Sequence, residues 1–469
     1  MSQDTASEVR PGSRLPCWCL LLLTTAVLYR VPLWERSEFE AWDQARVYVP
    51  LQVSNARQRA EGDIPLWFPH GFLGYPMQGE TECSGVYPPA LIFNLVDDPG
   101  TAWSLFLLAH QLLAIGGMFL LLKTLGAGRA GQALAAMVFV LGGTFVGELP
   151  QATLVTTLAW LPLIVGLLIR SCRQKRFGPA WGAGVALGVQ VSGGHPQVVF
   201  YTLLLLGLVV LCEFRGENRW QRGGFAVRGS LLTLVLGLGL AAPQVWYCLE
   251  TMQLTDRWPG LSYEQQMDGS LPPHYLLQLL LPGISGSDHR LQVLFTDLRV
   301  YAGLLTLPLL VIGWQHGTVS ARGFRWALPL ALLMAMGRYS GIFLVLGQLP
   351  GFGSIHVPAR FLMIASLAIA VLAGLGLDHL QTASRPGRHW QRSACFLAIV
   401  AAGLLIAGLV TGSQADPVGL DRLFRWGNTD AVFLREWNLV SPAVKADALS
   451  WAVMWGGSLA LASAVFCWI

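Results

Sequence analysis

The chain has 469 residues, 54% of them hydrophobic and only 12% charged, with a mean hydropathy of +0.51. Soluble domains carry roughly a quarter charged residues, so this composition excludes a soluble globular fold. The formal net charge of +4 is too small and too scattered to point to a nucleic-acid partner.

The first apolar run, Leu15–Leu33, is longer than the core of a signal peptide and lacks a small-x-small cleavage site, so it reads as a retained span. The segment Glu35–Gly100 follows. It mixes charge with Trp34, Trp42, Trp67, Phe68, Tyr75, Tyr87 and several prolines, a blend suited to a membrane interface. Within it, Glu38–Arg59 predicts one or two short interfacial helices, with Phe39, Trp42, Val49 and Val53 as apolar contacts. Asp43 lies on the first of them. A carboxylate there is either a general base able to take a proton from a hydroxyl or a solvated surface acid.

Further apolar runs free of Asp, Glu, Lys and Arg are Thr101–Leu122, Ala130–Gly147, Ala152–Ile169, Phe177–Val191, Val198–Cys212 and Gly229–Trp246. After the segment Leu249–Arg299 come Val300–Gly317, Trp326–Gly337, Phe361–Leu377, Ala394–Ala415 and, beyond Gly412–Asp447, Ala448–Ile469. About 20 residues span a bilayer, and helices are the open-ended segments that satisfy their own backbone there. The expectation is an all-α polytopic protein, residues 1–469 forming one membrane domain of about twelve spans. His110 and Gln111 fall inside a span, where polar groups usually make helix–helix hydrogen bonds.

Basic residues set the orientation, since Lys and Arg of short loops collect on the cytoplasmic side. Arg10, Arg14, Lys123, Arg129, Arg170, Arg173, Lys175, Arg176, Arg215, Arg219, Arg222, Arg228, Arg322, Arg325, Arg385, Arg388 and Arg392 fall on one side; Arg338 and Arg360 are the basic residues of the short opposite loops. Both termini are therefore expected in the cytoplasm, and the segments 35–100, 249–299 and 412–447 outside. The eight cysteines show no C-x-x-C spacing, so no metal or redox motif follows; Cys83 and Cys248 both fall outside and allow a disulfide.

Three outside features carry candidate chemistry beyond Asp43. Glu148 is the charged residue of the turn Gly147-Glu148-Leu149-Pro150-Gln151, either functional or an ordinary loop acid. Gly193-Gly194-His195-Pro196-Gln197 interrupts two apolar runs, and the backbone groups freed there can line a cavity. His195 and Gln197 then either bind a sugar or phosphate or simply cap a turn. Arg360, in Ile355-His356-Val357-Pro358-Ala359-Arg360-Phe361, runs against the charge rule. Its guanidinium either grips phosphate oxygens bidentately or snorkels to lipid head groups.

The order of Trp42-Asp43-Gln44, Glu61–Pro69, Gly74-Tyr75-Pro76, Tyr87-Pro88-Pro89, Trp160–Leu163, Gly194–Gln197 and Pro358–Phe361 resembles the bacterial YfhO-like membrane proteins of the GT-C glycosyltransferase superfamily. The resemblance implies a GT-C-like fold in the bacterial cytoplasmic membrane. It implies transfer of a sugar from a polyprenyl-phosphate donor to a glycan, lipid or protein acceptor on the outer face, with no cofactor. Asp43 matches the base, Glu148 a second acid, and Arg360 a phosphate contact, with His356 standing where a second arginine is common. No D-x-D triplet is present to hold a metal. The alternatives are a transporter or flippase for a lipid-linked sugar and a non-catalytic subunit of envelope assembly. A transporter calls for polar groups at mid-membrane, which these runs largely lack.

Overall fold

The computed structural model describes residue 25 and residues 44–382, apart from 72, 81, 83, 84, 215–217, 256, 257, 259, 280–295, 317–320 and 350. Asp43, Cys83, the rest of the span Leu15–Leu33, the runs Ala394–Ala415 and Ala448–Ile469, and the segment 412–447 lie outside the described residues.

Among the described residues the protein is helical apart from one two-stranded antiparallel hairpin, Trp67–Phe68 against Tyr75–Pro76. Six helices there are long and apolar enough to cross a membrane: Pro99–Leu125, Arg129–Gly147, Ala152–Gln174, Pro196–Glu213, Arg219–Leu240 and Pro358–Thr382. The first illustrates how sequence sets the limits. Asp98 caps its start by accepting the Thr101 N–H at 2.8 Å, Pro99 supplies a first residue needing no donor, and Gly126, at φ 94°, ends it in the left-handed region. Its 27 residues, at about 1.5 Å each, exceed the thickness of a hydrocarbon core.

Other apolar runs make shorter helices. Phe177–Val191 becomes Gly178–Ser192, ended by the paired glycines, and Trp326–Gly337 becomes Arg322–Ala335. Val300–Gly317 forms a helix only from Thr306 to His316, because its first residues are taken up by another contact. Leu141 and Gly142 interrupt the helix that starts at Arg129, and the N–H of Gly143, which opens the next helix, donates to Tyr301 O at 2.7 Å. A Cβ on Gly143 would stand 3.1 Å from the Tyr301 nitrogen, so glycine is what admits that neighbour.

The centre of the bundle is Leu362–Thr382, whose residues 362–376 are all buried. It packs on Thr306–His316, Arg129–Val140 and Arg322–Ala335. Arg219–Leu240 lies at the periphery, with Leu231, Val235, Leu238 and Leu240 exposed as a lipid-facing stripe.

Before Pro99, residues 44–98 are packed onto one end of the bundle. Of the stretch Glu38–Arg59, residues 44–60 are described and form a π-helical turn, Gln44–Tyr48, that runs into the helix Val49–Ala60, with Val49 buried. Arg59 reaches Asn94 Oδ1 at 2.8 Å, Gly85 O at 3.0 Å and Ala90 O at 3.2 Å. Deeper, Trp160 Nε1 donates to Tyr87 Oη at 2.7 Å, Tyr87 meets His110 Nε2, and His110 Nδ1 meets Phe106 O at 2.6 Å. A carbonyl only accepts, so His110 carries its proton on Nδ1 and the Tyr87 hydroxyl must donate to Nε2. Every member of the chain is satisfied. Lys123, Arg129, Arg173, Lys175, Arg219, Arg222, Arg322 and Arg325 cluster at the helix ends remote from residues 44–98.

Candidate functional site

Three segments meet at the bundle end that carries residues 44–98. The first is the turn after the short helix Gly143–Gly147, where Glu148 is the C-cap residue. The second is residues 296–301, pinned to that helix by the Gly143–Tyr301 bond and by Thr144 Oγ1, which donates to Arg299 O at 2.8 Å. These anchors bring Asp297 and Arg299 alongside Glu148. The third is the 3-10 turn Pro358–Phe361 that opens the central helix.

That third segment is aimed under strain. Val357 sits at φ 55°, ψ 76°, where a β-branched residue costs of order 1–3 kcal/mol. The surroundings hold it there. Ala359 N donates to Gly269 O at 3.2 Å, and Gln197 Nε2 donates both to His356 O and to Tyr201 Oη, each at 2.7 Å. Gly269 is itself at φ 65°, and a Cβ on it would come within 2.8 Å of Val357 Cγ1. The result is a fixed direction for Arg360.

Arg360 Nε donates to Asp297 Oδ1 at 2.8 Å, and its Nη2 donates to Gln151 Oε1 at 3.1 Å. The ion pair is largely enclosed, with the side chains 15% and 10% exposed. Glu148 is 1% exposed, and its Oε2 finds no hydrogen-bond partner among the described residues. Burial, reinforced by the Asp297 carboxylate, pushes the Glu148 carboxyl well above the usual carboxylate range; Arg360 and Arg299 pull it the other way. Tyr201 faces Arg360 and Asp297 from the helix Pro196–Glu213. Two guanidinium groups and two carboxyl groups thus lie together at this end of the bundle, an arrangement suited to receiving an anion on the arginines.

The sequence-predicted residues separate into groups. Glu148 and Arg360 are brought together. Gln197 lies one hydrogen bond from Arg360's turn, and its amide is spent on His356 O and Tyr201. His356 lies 3.6 Å from Asp268. His195 is buried at the start of Pro196–Glu213. Asp43 lies outside the described residues, as does Cys83, while Cys248 is a free thiol.

Asp297, Arg299, Gln151 and Tyr201 were not singled out by sequence. Asp297-Leu298-Arg299 does carry a signal, an acid and a base two residues apart at the mouth of an apolar run, and Gln151 closes the Glu148 motif. Among the described residues no cluster of three or more His, Cys, Asp or Glu is placed to hold a metal ion.

Fold and site together define a polytopic helical membrane protein with a buried carboxyl–guanidinium cluster at one end of its helix bundle. No family model matches the sequence, and no curated protein is similar to it. Solved structures with a similar trace include ArnT from Cupriavidus metallidurans bound to undecaprenyl phosphate, with a TM-score of 0.48 and 16% identity over 96% of this chain and 77% of that chain. The apo state of that ArnT gives a TM-score of 0.48 and 16% identity over 95% of this chain and 76% of that one. The arabinofuranosyltransferase AftD from Mycobacteria gives 0.44 and 14% over 81% of this chain and 28% of its own.

Proposed function

We propose that the chain is a membrane glycosyltransferase of the GT-C type, moving a sugar from a polyprenyl-phosphate donor to an acceptor hydroxyl at the outer face of a bacterial cytoplasmic membrane. The observation that carries this reading is the convergence of Glu148, Asp297, Arg299 and Arg360 from three distant segments. It supplies a pair of guanidinium groups at the membrane face where a lipid phosphate would lie. The motif order from Trp42 to Phe361 supports the same class.

In this reading Arg360, with Arg299 beside it, holds the donor phosphate. Asp43 takes the proton of the acceptor hydroxyl as its oxygen bonds to the anomeric carbon. The bond from that carbon to the phosphate oxygen breaks, and its electron pair leaves with the lipid phosphate. Glu148 orients the reacting groups; His195, Gln197 and His356 border the donor. The acceptor is a glycan, a lipid or a protein, and both chain termini are cytoplasmic.

The test is donor affinity in Arg360→Lys. An ammonium cannot reproduce the planar fork, and a charged hydrogen bond contributes about 1.5–3 kcal/mol, so binding of a polyprenyl-phosphate sugar should weaken about ten- to a hundredfold. Unchanged donor affinity with impaired acceptor use would remove Arg360 from the phosphate.

A second reading, a transporter or flippase for a lipid-linked sugar, is favoured by one observation. Gln111, midway along Pro99–Leu125, is fully buried, and neither atom of its amide has a partner among the described residues. Movement of the intact donor across proteoliposome membranes, with no sugar transfer, would establish that reading instead.

A further inference from the structure

We propose that the hairpin of Trp67–Phe68 and Tyr75–Pro76, together with the short helix Ile92–Leu95, forms a membrane-docking face, seated in the head-group region of the lipid leaflet at its end of the bundle. The proposal does not depend on the reaction assigned above. Sequence places the membrane contact of this region on the stretch Glu38–Arg59, yet Val49 and Leu51 of the helix Val49–Ala60 are buried. The exposed apolar side chains lie elsewhere: Ile64, Leu66, Trp67 and Leu73 along the hairpin, and Leu91 and Leu95 at the short helix.

The hairpin has two unlike faces. Phe68 and Tyr75, paired across the strands with ring centroids 5.5 Å apart, pack on the buried Leu51 and Met77. Successive residues of a strand point to opposite sides, so Trp67 is turned outward and is half exposed. Its indole is held in place: a Cβ on Gly74 would stand 2.6 Å from the ring, and glycine is what lets the indole lie over the tip. Leu73, at that tip, is fully exposed and sits at φ 66°. The left-handed region is disfavoured for a residue other than glycine, and full exposure of a leucine to water is disfavoured again. Insertion of the side chain among lipid removes the second cost, and a half-exposed tryptophan beside it suits the head-group level.

Two adjacent residues of one helix set the hairpin beside the short helix. Gln58 Nε2 donates to Trp67 O at 2.9 Å, and Arg59 Nε donates to Asn94 Oδ1 at 2.8 Å. Leu95, 82% exposed, stands just before Asp98 and Pro99 open a helix long and apolar enough to cross the membrane, whose own exposed side includes Leu112. The patch therefore continues a surface that lipid covers, which favours a bilayer over a protein partner as its occupant. Glu61 and Asp63, exposed in the turn that leads into the hairpin, are the charged side chains that stay in water.

The experiment places the photoreactive residue p-benzoylphenylalanine at Leu73, at Leu95 or at Glu61 of the full-length protein, in bilayers of phosphatidylethanolamine and phosphatidylglycerol. After irradiation the adducts are identified by mass spectrometry. Phospholipid adducts from positions 73 and 95 should exceed those from position 61 severalfold. Should the variant at Leu73 fail to fold, Ile64, 65% exposed, takes its place with the same expectation. A folded variant at position 73 or 64 whose lipid yield only matches that from position 61 overturns the proposal. Adducts that join two copies of the chain, or two segments of one copy, in place of lipid also overturn it, because the face would then be a protein contact.

Discussion

Tyr87 links two polar side chains, Trp160 and His110, at the edge of an apolar interior. Its hydroxyl accepts from Trp160 and donates to His110, so Tyr87→Phe strands an indole N–H and an imidazole nitrogen together. An unsatisfied buried donor or acceptor costs about 1–3 kcal/mol. Tyr87→Phe should therefore lower stability by at least that much in chemical unfolding of the detergent-solubilised protein, while donor affinity stays unchanged; wild-type stability would mean that water or another group takes over the bonds. The polar character of His110 inside an apolar run is legible in sequence and predicts such a contact. Its partner is not, because Tyr87 lies in a loop whose path no periodicity encodes. Asp297 was missed for the same reason, since its bond to Arg360 joins residues 63 apart, and nothing local in either segment announces the other.

Helices in a bilayer gain little from hiding apolar surface from one another, so close backbone approach at small residues takes on more of the packing. The central helix Leu362–Thr382 follows that rule on two sides. A Cβ on Gly376 would lie 1.9 Å from Leu309 O, one on Gly313 1.9 Å from Leu372 O, and one on Gly374 2.5 Å from Gly131 O. Gly376→Val should push Thr306–His316 off the central helix and destabilise the protein by more than the roughly 1–3 kcal/mol typical of overpacking, because the clash is with backbone. Unfolding of the variant in detergent measures this, with Gly224→Val, where a Cβ meets nothing within 4 Å, as the control. Apolar runs long enough to span are the most legible part of this fold. Their true ends are less so: Val300–Gly317 reads as one span, yet residues 300–305 are drawn out to meet Gly143, a tertiary contact that overrides the apolar pattern.

For the molecule as a whole, the basic helix ends gather on the side away from residues 44–98 and from the Glu148–Arg360 cluster, the asymmetry that the positive-inside rule associates with cytoplasmic loops. A cysteine placed at Gly62 should react with an impermeant thiol reagent added to intact cells, and one at Arg222 should not; the opposite pattern would put the cluster in the cytoplasm and remove the outer-face reaction. The membrane class was legible because composition acts over the whole chain, while the contacts that bring Glu148, Asp297 and Arg360 together join distant segments and were not legible. The central claim is sugar transfer with Asp43 as base, and its most direct measurement is the transfer rate of purified wild type and Asp43→Asn from a polyprenyl-phosphate sugar to an acceptor. General-base contributions are about a hundred- to ten-thousandfold, so Asp43→Asn should lose transfer by that factor while folding and donor affinity hold. Full transfer by Asp43→Asn, or none by the folded wild type across donors and acceptors, would contradict it.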